Sequence, residues 1–142
     1  MTRDECRDWV EIPVRWSHMD GFRHVNNARY FTYFEIARVH LFEQIVTGVT
    51  WHEAEQGPVL ASVACNFRQP VSYPAQLEVG STVTKISRRS FRVDHAIFFE
   101  GTDTLVADGH SIVVWVDRVA GQSVELSEAF VQALEGFAPR KR

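Results

Sequence analysis

Apolar positions follow two different periods along this chain. Between residues 28 and 46, Tyr30, Phe34, Ala37, Leu41 and Ile45 recur at intervals of four, three, four and four. That is one stripe of a 3.6-residue period and predicts an α-helix over 28–46. Phe31 and Phe42 widen the stripe, Arg29, Thr32, His40 and Glu43 form a polar edge, and Gly48 ends the helix. Before it, "WVEIPVRW" (9–16) is apolar with an edge-compatible Pro and reads as a strand. Residues 17–27 are a polar connection.

After residue 57 the helical period disappears. The stretches 57–70, 76–87, 90–101 and 103–118 are rich in Val, Ile, Phe and Thr and are punctuated by Gly, Pro, Ser and Asp. They predict four strands, and the links between them are too short for crossover helices, so the pairing is antiparallel. "SEAFVQALEGF" (127–137) predicts a short terminal helix with Ser127 as N-cap and Gly136 as its end. A helix apolar over most of its circumference needs wide cover. A curved antiparallel five-stranded sheet wrapped round a central helix supplies it, an α+β arrangement.

Composition fits that picture. The 142 residues are 45% hydrophobic and 23% charged, with no repeat, low-complexity tract or linker, so a single domain over 1–142 is expected. The net charge of −3 offers no basic footprint for nucleic acid. Cys6 and Cys65 are isolated from each other and suit a reducing compartment. The N-terminus has no apolar signal-peptide core, and no apolar run reaches the roughly 18 residues of a membrane span. A soluble, cytoplasmic protein with no membrane partner is expected.

Several chemistries lack their motifs. There is no G-x-S-x-G elbow, P-loop or dinucleotide fingerprint. "HEAEQ" (52–56) lacks the second His of the zinc motif, and the six His residues show no ligand spacing, so no metal is expected. What remains is "DGFRHVNN" (20–27), at the entry to the apolar helix. Asp20 is a carboxylate at neutral pH, with a reference pKa of about 3.9. His24 is a proton carrier near pH 7. Asn26 or Asn27 can cap the helix, whose first N–H groups lack internal partners and carry the positive end of its dipole. An acid, an acid/base and oxyanion donors can thus converge. The same residue types are also ordinary turn and capping residues.

From Arg15 to Arg38 the pattern R-W-x-x-x-D-x-x-x-H-V-N-N-A-x-Y-x-x-Y-F-E-x-A-R resembles the opening of the hot-dog-fold acyl-CoA thioesterases, above all the 4-hydroxybenzoyl-CoA thioesterase family. "HVNN" followed by Tyr30 is also similar to acyl-carrier-protein thioesterases of plants and bacteria. "FRQPVSYPAQLEV", "RRSF" and "ADGHSIVVWVD" extend the resemblance more weakly, to roughly residues 8–120. It implies the hot-dog fold and hydrolysis of an acyl-CoA or acyl-carrier-protein thioester, with coenzyme A entering as part of the substrate and no separate cofactor. Asp20 matches the family's nucleophile or general base, and His24 its assistant in the carrier-protein branch. Asn27 sits where a backbone N–H polarises the carbonyl. Arg88, Arg89 and Ser90 fall in the turn that meets coenzyme A phosphates. The resemblance also implies a homodimer or homotetramer with the site between subunits.

Three positions depart from the pattern. His18 stands where relatives often carry a second Asp, Arg23 where they often carry Gly, and Phe22 where the carrier-protein branch has Asn. Elsewhere, Tyr30 and Tyr33 read as core or interface aromatics, and His95 and His110 as strand residues in the core or at the surface. Arg38 falls inside the apolar stripe, three residues from Glu35, and reads as one half of an ion pair, either a buried bridge or part of a subunit contact. Two rivals to a thioesterase are a hot-dog enoyl-CoA hydratase or dehydratase and a non-catalytic acyl-CoA or acyl-carrier binding protein. The first usually spaces its Asp and His one residue wider than Asp20 and His24.

Overall fold

A computed structural model describes residues 1–46 and 53–141. Strand β1 (Asp8–Pro13) leads through a single 3-10 turn (Trp16–His18) to helix α1 (Asn27–Ile45). Strands β2 (Gln56–Phe67), β3 (Gln76–Ile86), β4 (Ser90–Phe99) and β5 (Leu105–Asp117) follow. A two-residue β6 (Gln122–Ser123) and helix α2 (Glu128–Glu135) complete the chain. The pairing is antiparallel throughout, in the order β1-β3-β4-β5-β2, with β6 on β5 as an addition to the five predicted strands. The expected end of α1 at Gly48 lies outside the described residues.

The predicted stripe is what α1 buries. Tyr30, Phe34, Ala37, Leu41 and Phe42 are in the core with Tyr33, whereas Phe31 and Ile45 are only partly covered. Each fully buried Phe or Leu contributes about 1.5–3 kcal/mol. One cluster, around Tyr30, Tyr33, Phe34, Val25, Val71 and Ile97, surrounds the start of α1. A second, around Leu41, Phe42, Phe91, Val93 and Val113, surrounds its end and is closed by Leu134 of α2. Ser127 caps α2 by accepting the Phe130 N–H, and Gly136 ends it, as the sequence predicts.

Phe34 lies directly over β5 because residue 109 is Gly: a Cβ there would collide with the Ala64 carbonyl and press on the Phe34 ring. Phe34 also stacks on His95, with centroids 4.7 Å apart. His95 is fully buried between Ser81 Oγ (2.9 Å from Nδ1) and Ser111 Oγ (3.1 Å from Nε2).

Arg38 is buried, but its partner differs from the expected one. Its guanidinium donates to Ser111 Oγ at 2.9 Å, while Glu35 points to solvent. One helical turn separates the two along α1, and Glu35 still favours the charged guanidinium against its burial, but the hydrogen bond goes inward to the sheet. His95 is a core residue, and His110 lies on β5, partly covered.

Candidate active site at the start of α1

Residues 18–26 form a small hairpin. Met19 and Val25 bridge antiparallel. The His18 carbonyl accepts the Asn26 N–H at 2.9 Å, and the Asp20 N–H donates to the His24 carbonyl at 2.9 Å. Arg23 N–H closes the turn on the Asp20 carbonyl at 3.0 Å. Asp20 stabilises this turn with its own side chain, Oδ1 accepting the Phe22 N–H at 2.9 Å, the usual work of Asp at the first turn position. Arg23 adopts φ +64°, the left-handed residue that follows such a turn in three-residue hairpins. Only Gly takes that conformation without a Cβ penalty, which gives the Gly of related sequences a physical reason. Ser72 Oγ, donating to the Arg23 carbonyl at 2.9 Å, ties the turn to the β2–β3 connection.

The hairpin delivers the chain to the start of α1. Asn26 is the N-cap: its side-chain oxygen accepts the Ala28 N–H at 3.0 Å, and its carbonyl accepts the Arg29 N–H at 2.8 Å. Among the described residues, the Asn27 N–H has no partner. It is an orphan donor at the positive end of a 19-residue helix. Asn27 lines a cleft of about 250 Å³, with His24 and Tyr30 from the hairpin and helix and Phe67, Arg68 and Gln69 from the end of β2. Phe67 meets Tyr30 edge to face at 5.2 Å.

Burial holds the neighbouring hydroxyls and thiol protonated. Tyr30 and Tyr33 are pushed up to about 12 and Cys65 to about 11, each chiefly by loss of solvent. His18 is shifted the other way, below its usual value, first by burial and then by Arg29 and Arg15. Arg68 is held in place by both oxygens of Asp108, at 3.1 and 3.2 Å.

The sequence pattern of the thioesterase-like superfamily matches residues 14–134. The chain belongs to that superfamily. It is 28% identical over 127 residues to the long-chain acyl-CoA thioesterase FadM of Escherichia coli, covering 89% of this chain and 96% of the relative. It is 30% identical over 112 residues to the chloroplastic acyl-acyl carrier protein thioesterase ATL3 of Arabidopsis thaliana, covering 77% of this chain and 58% of that one. A thioesterase from Thermus thermophilus, solved in complex with coenzyme A and Zn, superposes with a TM-score of 0.83 at 25% identity, covering 97% of this chain and 98% of its own. These thioesterase relatives and the sheet wrapped round α1 together bear out the α+β hot-dog fold.

Of the residues singled out in the sequence, this superfamily member brings Asp20, His24 and Asn27 together on one hairpin and the helix it feeds. His24 and Asn27 line the cleft. Arg88, Arg89 and Ser90 stand elsewhere, at the β3–β4 turn. Arg88 pairs with Glu125, and Arg89 donates to the Ser123 carbonyl at 3.3 Å. That turn precedes Phe91, which packs on Phe42 near the last turn of α1. Nineteen residues at about 1.5 Å rise put most of 30 Å between the two ends of the helix. Within one chain the basic turn and the Asp20 hairpin therefore lie at opposite ends of α1.

Phe67, Arg68 and Gln69 were not predicted as cleft residues. They reach it through sheet pairing some forty residues downstream, a contact with no local sequence signal. The hydrogen bond between His18 and Tyr33 was likewise invisible, since fifteen residues separate the pair.

Proposed function

We propose that the protein hydrolyses acyl-CoA thioesters to a free acid and coenzyme A, with Asp20 as the reacting carboxylate. The observation that carries this is Asn27, which lines the cleft with an N–H that has no partner among the described residues, one hairpin away from Asp20, in a member of the thioesterase-like superfamily. A thioester carbonyl gains negative charge on oxygen as it is attacked. A fixed amide at a helix start, aided by the helix dipole, stabilises that charge without reorganising.

Oδ1 of Asp20 is committed to the turn, which leaves Oδ2 for chemistry. By one route Oδ2 takes a proton from water as the water oxygen adds to the carbonyl carbon. The tetrahedral intermediate then collapses, breaks the C–S bond and releases the thiol with that proton. By the other, Oδ2 itself adds, the C–S bond breaks to leave a mixed anhydride, and water cleaves the anhydride. In this reading His24, exposed and lining the cleft, relays the proton to the leaving sulfur in the first route, and in the second the thiolate takes its proton from the water that cleaves the anhydride. No cofactor beyond the coenzyme A of the substrate is required.

The working unit is proposed to be a homo-oligomer, a dimer or tetramer. Strand β2 ends the sheet, and its twelve residues, QGPVLASVACNF, contain no charge. Natural edges are usually blunted by charge, so an uncharged edge of this length favours pairing with a second copy. In such an assembly Arg88, Arg89 and Ser90 serve the coenzyme A phosphates of a neighbouring subunit's site. Both cysteines are free, which favours a reducing compartment such as the cytoplasm.

Free-thiol release from a panel of acyl-CoAs and an acyl-carrier-protein thioester tests the reading. Release supports it. Loss of enoyl-CoA absorbance without thiol release would favour a hydratase, and binding without turnover a carrier of acyl-CoA.

A further inference from the structure

The His18 side chain is held from two sides beside the start of α1, and nothing in the proposed chemistry uses it. Its Nδ1 lies 3.2 Å from the Arg15 backbone N–H and 2.8 Å from the Tyr33 hydroxyl. A backbone N–H can only donate, so Nδ1 is an acceptor, the ring proton is on Nε2, and the imidazole is neutral. The Tyr33 hydroxyl then donates to the same nitrogen, the two donors sharing its one lone pair with Tyr33 the nearer. The two rings pack at 5.6 Å, and Tyr33, buried in the core, meets Tyr30 of the cleft at 5.8 Å. The His18 carbonyl, in turn, holds the N–H of the helix cap Asn26 at 2.9 Å. One residue therefore ties the first strand of the hairpin to the second turn of α1 and to the residue before the orphan N–H of Asn27.

We propose that His18 is a positioning residue: its neutral imidazole clamps the Asp20 hairpin and the cap of α1 onto Tyr33 and so aims the Asn27 N–H. Protonation puts a hydrogen on Nδ1, where it faces the Arg15 N–H and ends that bond, and the bond with Tyr33 must reverse; the clamp loosens at Arg15. The charged and titratable groups against the ring are Arg15 on its own turn and Arg29 and Tyr33 on α1. Arg15 and Arg29 both oppose a further positive charge, and they keep the clamp closed at neutral pH. The proposal rests on the reading of Asp20 and Asn27 given above.

The test combines an activity profile with a readout that needs no activity. Thiol release from an acyl-CoA would be followed against pH for the wild type, His18→Asn and His18→Ala. Asn supplies an acceptor oxygen near the position of Nδ1 but does not titrate. His18→Ala is expected to lose at least tenfold in kcat with little change in KM, and His18→Asn to recover most of it. The acid limb of the His18→Asn profile should involve one proton fewer than that of the wild type. In amide NMR spectra, the Arg15, Asn26 and Asn27 signals should move together with one midpoint below 6.5, and this movement should vanish in His18→Asn. Wild-type kcat in His18→Ala, an unchanged acid limb in His18→Asn, or amides that ignore the titration would overturn the proposal. Amides that follow it in a protein releasing no thiol would instead overturn the thioesterase reading and leave the clamp standing.

Discussion

The Asn26 side chain accepts the Ala28 N–H at 3.0 Å and passes over the amide between them, that of Asn27, a cleft residue whose N–H has no partner among the described residues. The cap thus both stabilises the helix and selects which donor stays free. Asn26→Ala should lower stability by about 0.5–2 kcal/mol, the ordinary value of a lost N-cap. Urea denaturation measures this. Because the helix start frays, kcat should fall more than stability alone explains.

Arg23 occupies a left-handed conformation at φ +64°. Such a backbone costs a residue with a Cβ about 1–2 kcal/mol, partly offset by the greater chain freedom that Gly loses on folding. Arg23→Gly should therefore stabilise the fold by up to about 1 kcal/mol, and Arg23→Val should destabilise it. Melting temperatures of the two variants on either side of the wild type would bear this out. A destabilised Arg23→Gly would mean that the Arg23 side chain contributes more than the turn costs.

Arg38 bears on where His95 carries its proton. A guanidinium can only donate, so it takes one lone pair of Ser111 Oγ, and the arrangement expected here has the Ser111 hydrogen turned to Nε2 of His95. The imidazole proton is then on Nδ1, donated to Ser81 Oγ. Nitrogen NMR should show Nδ1 protonated and Nε2 bare. Burial, with Arg38 and His110 nearby, pushes this His down to about 3. The unfolded chain takes up the proton below about 6.5 while the folded chain refuses it, so stability is full above 6.5 and is lost progressively as pH falls toward 3. Denaturant titrations across that range should show the decline. A His95 resonance titrating near 6.5 would contradict it.

Much of the fold was legible because its dominant signal is periodic. The Tyr30-Phe34-Ala37-Leu41 stripe marked the buried face of α1, and the Val- and Ile-rich runs marked the strands to within a few residues. The site was legible only where it is local. Asp20, His24 and Asn27 are held by bonds spanning a few residues. Phe67, Arg68 and Gln69 arrive by sheet pairing, and His18 meets Tyr33 through the packing of a helix. Arg38 stood out inside the apolar stripe, with a buried bridge and a subunit contact both open, and its hydrogen-bond partner Ser111, 73 positions away, left no mark in the spacing. The glycine missing at position 23 was visible as a departure, yet its meaning required the φ angle.

The central claim is that the free oxygen of Asp20 attacks or activates the nucleophile beside the Asn27 amide. Steady-state thiol release by Asp20→Asn, beside the wild type on the same acyl-CoA, tests it most directly. The amide of Asn can keep the turn bond to Phe22, so the fold and KM should hold while kcat drops by about 10²-fold or more. A folded Asp20→Asn protein that turns over within a few-fold of the wild type would contradict the account.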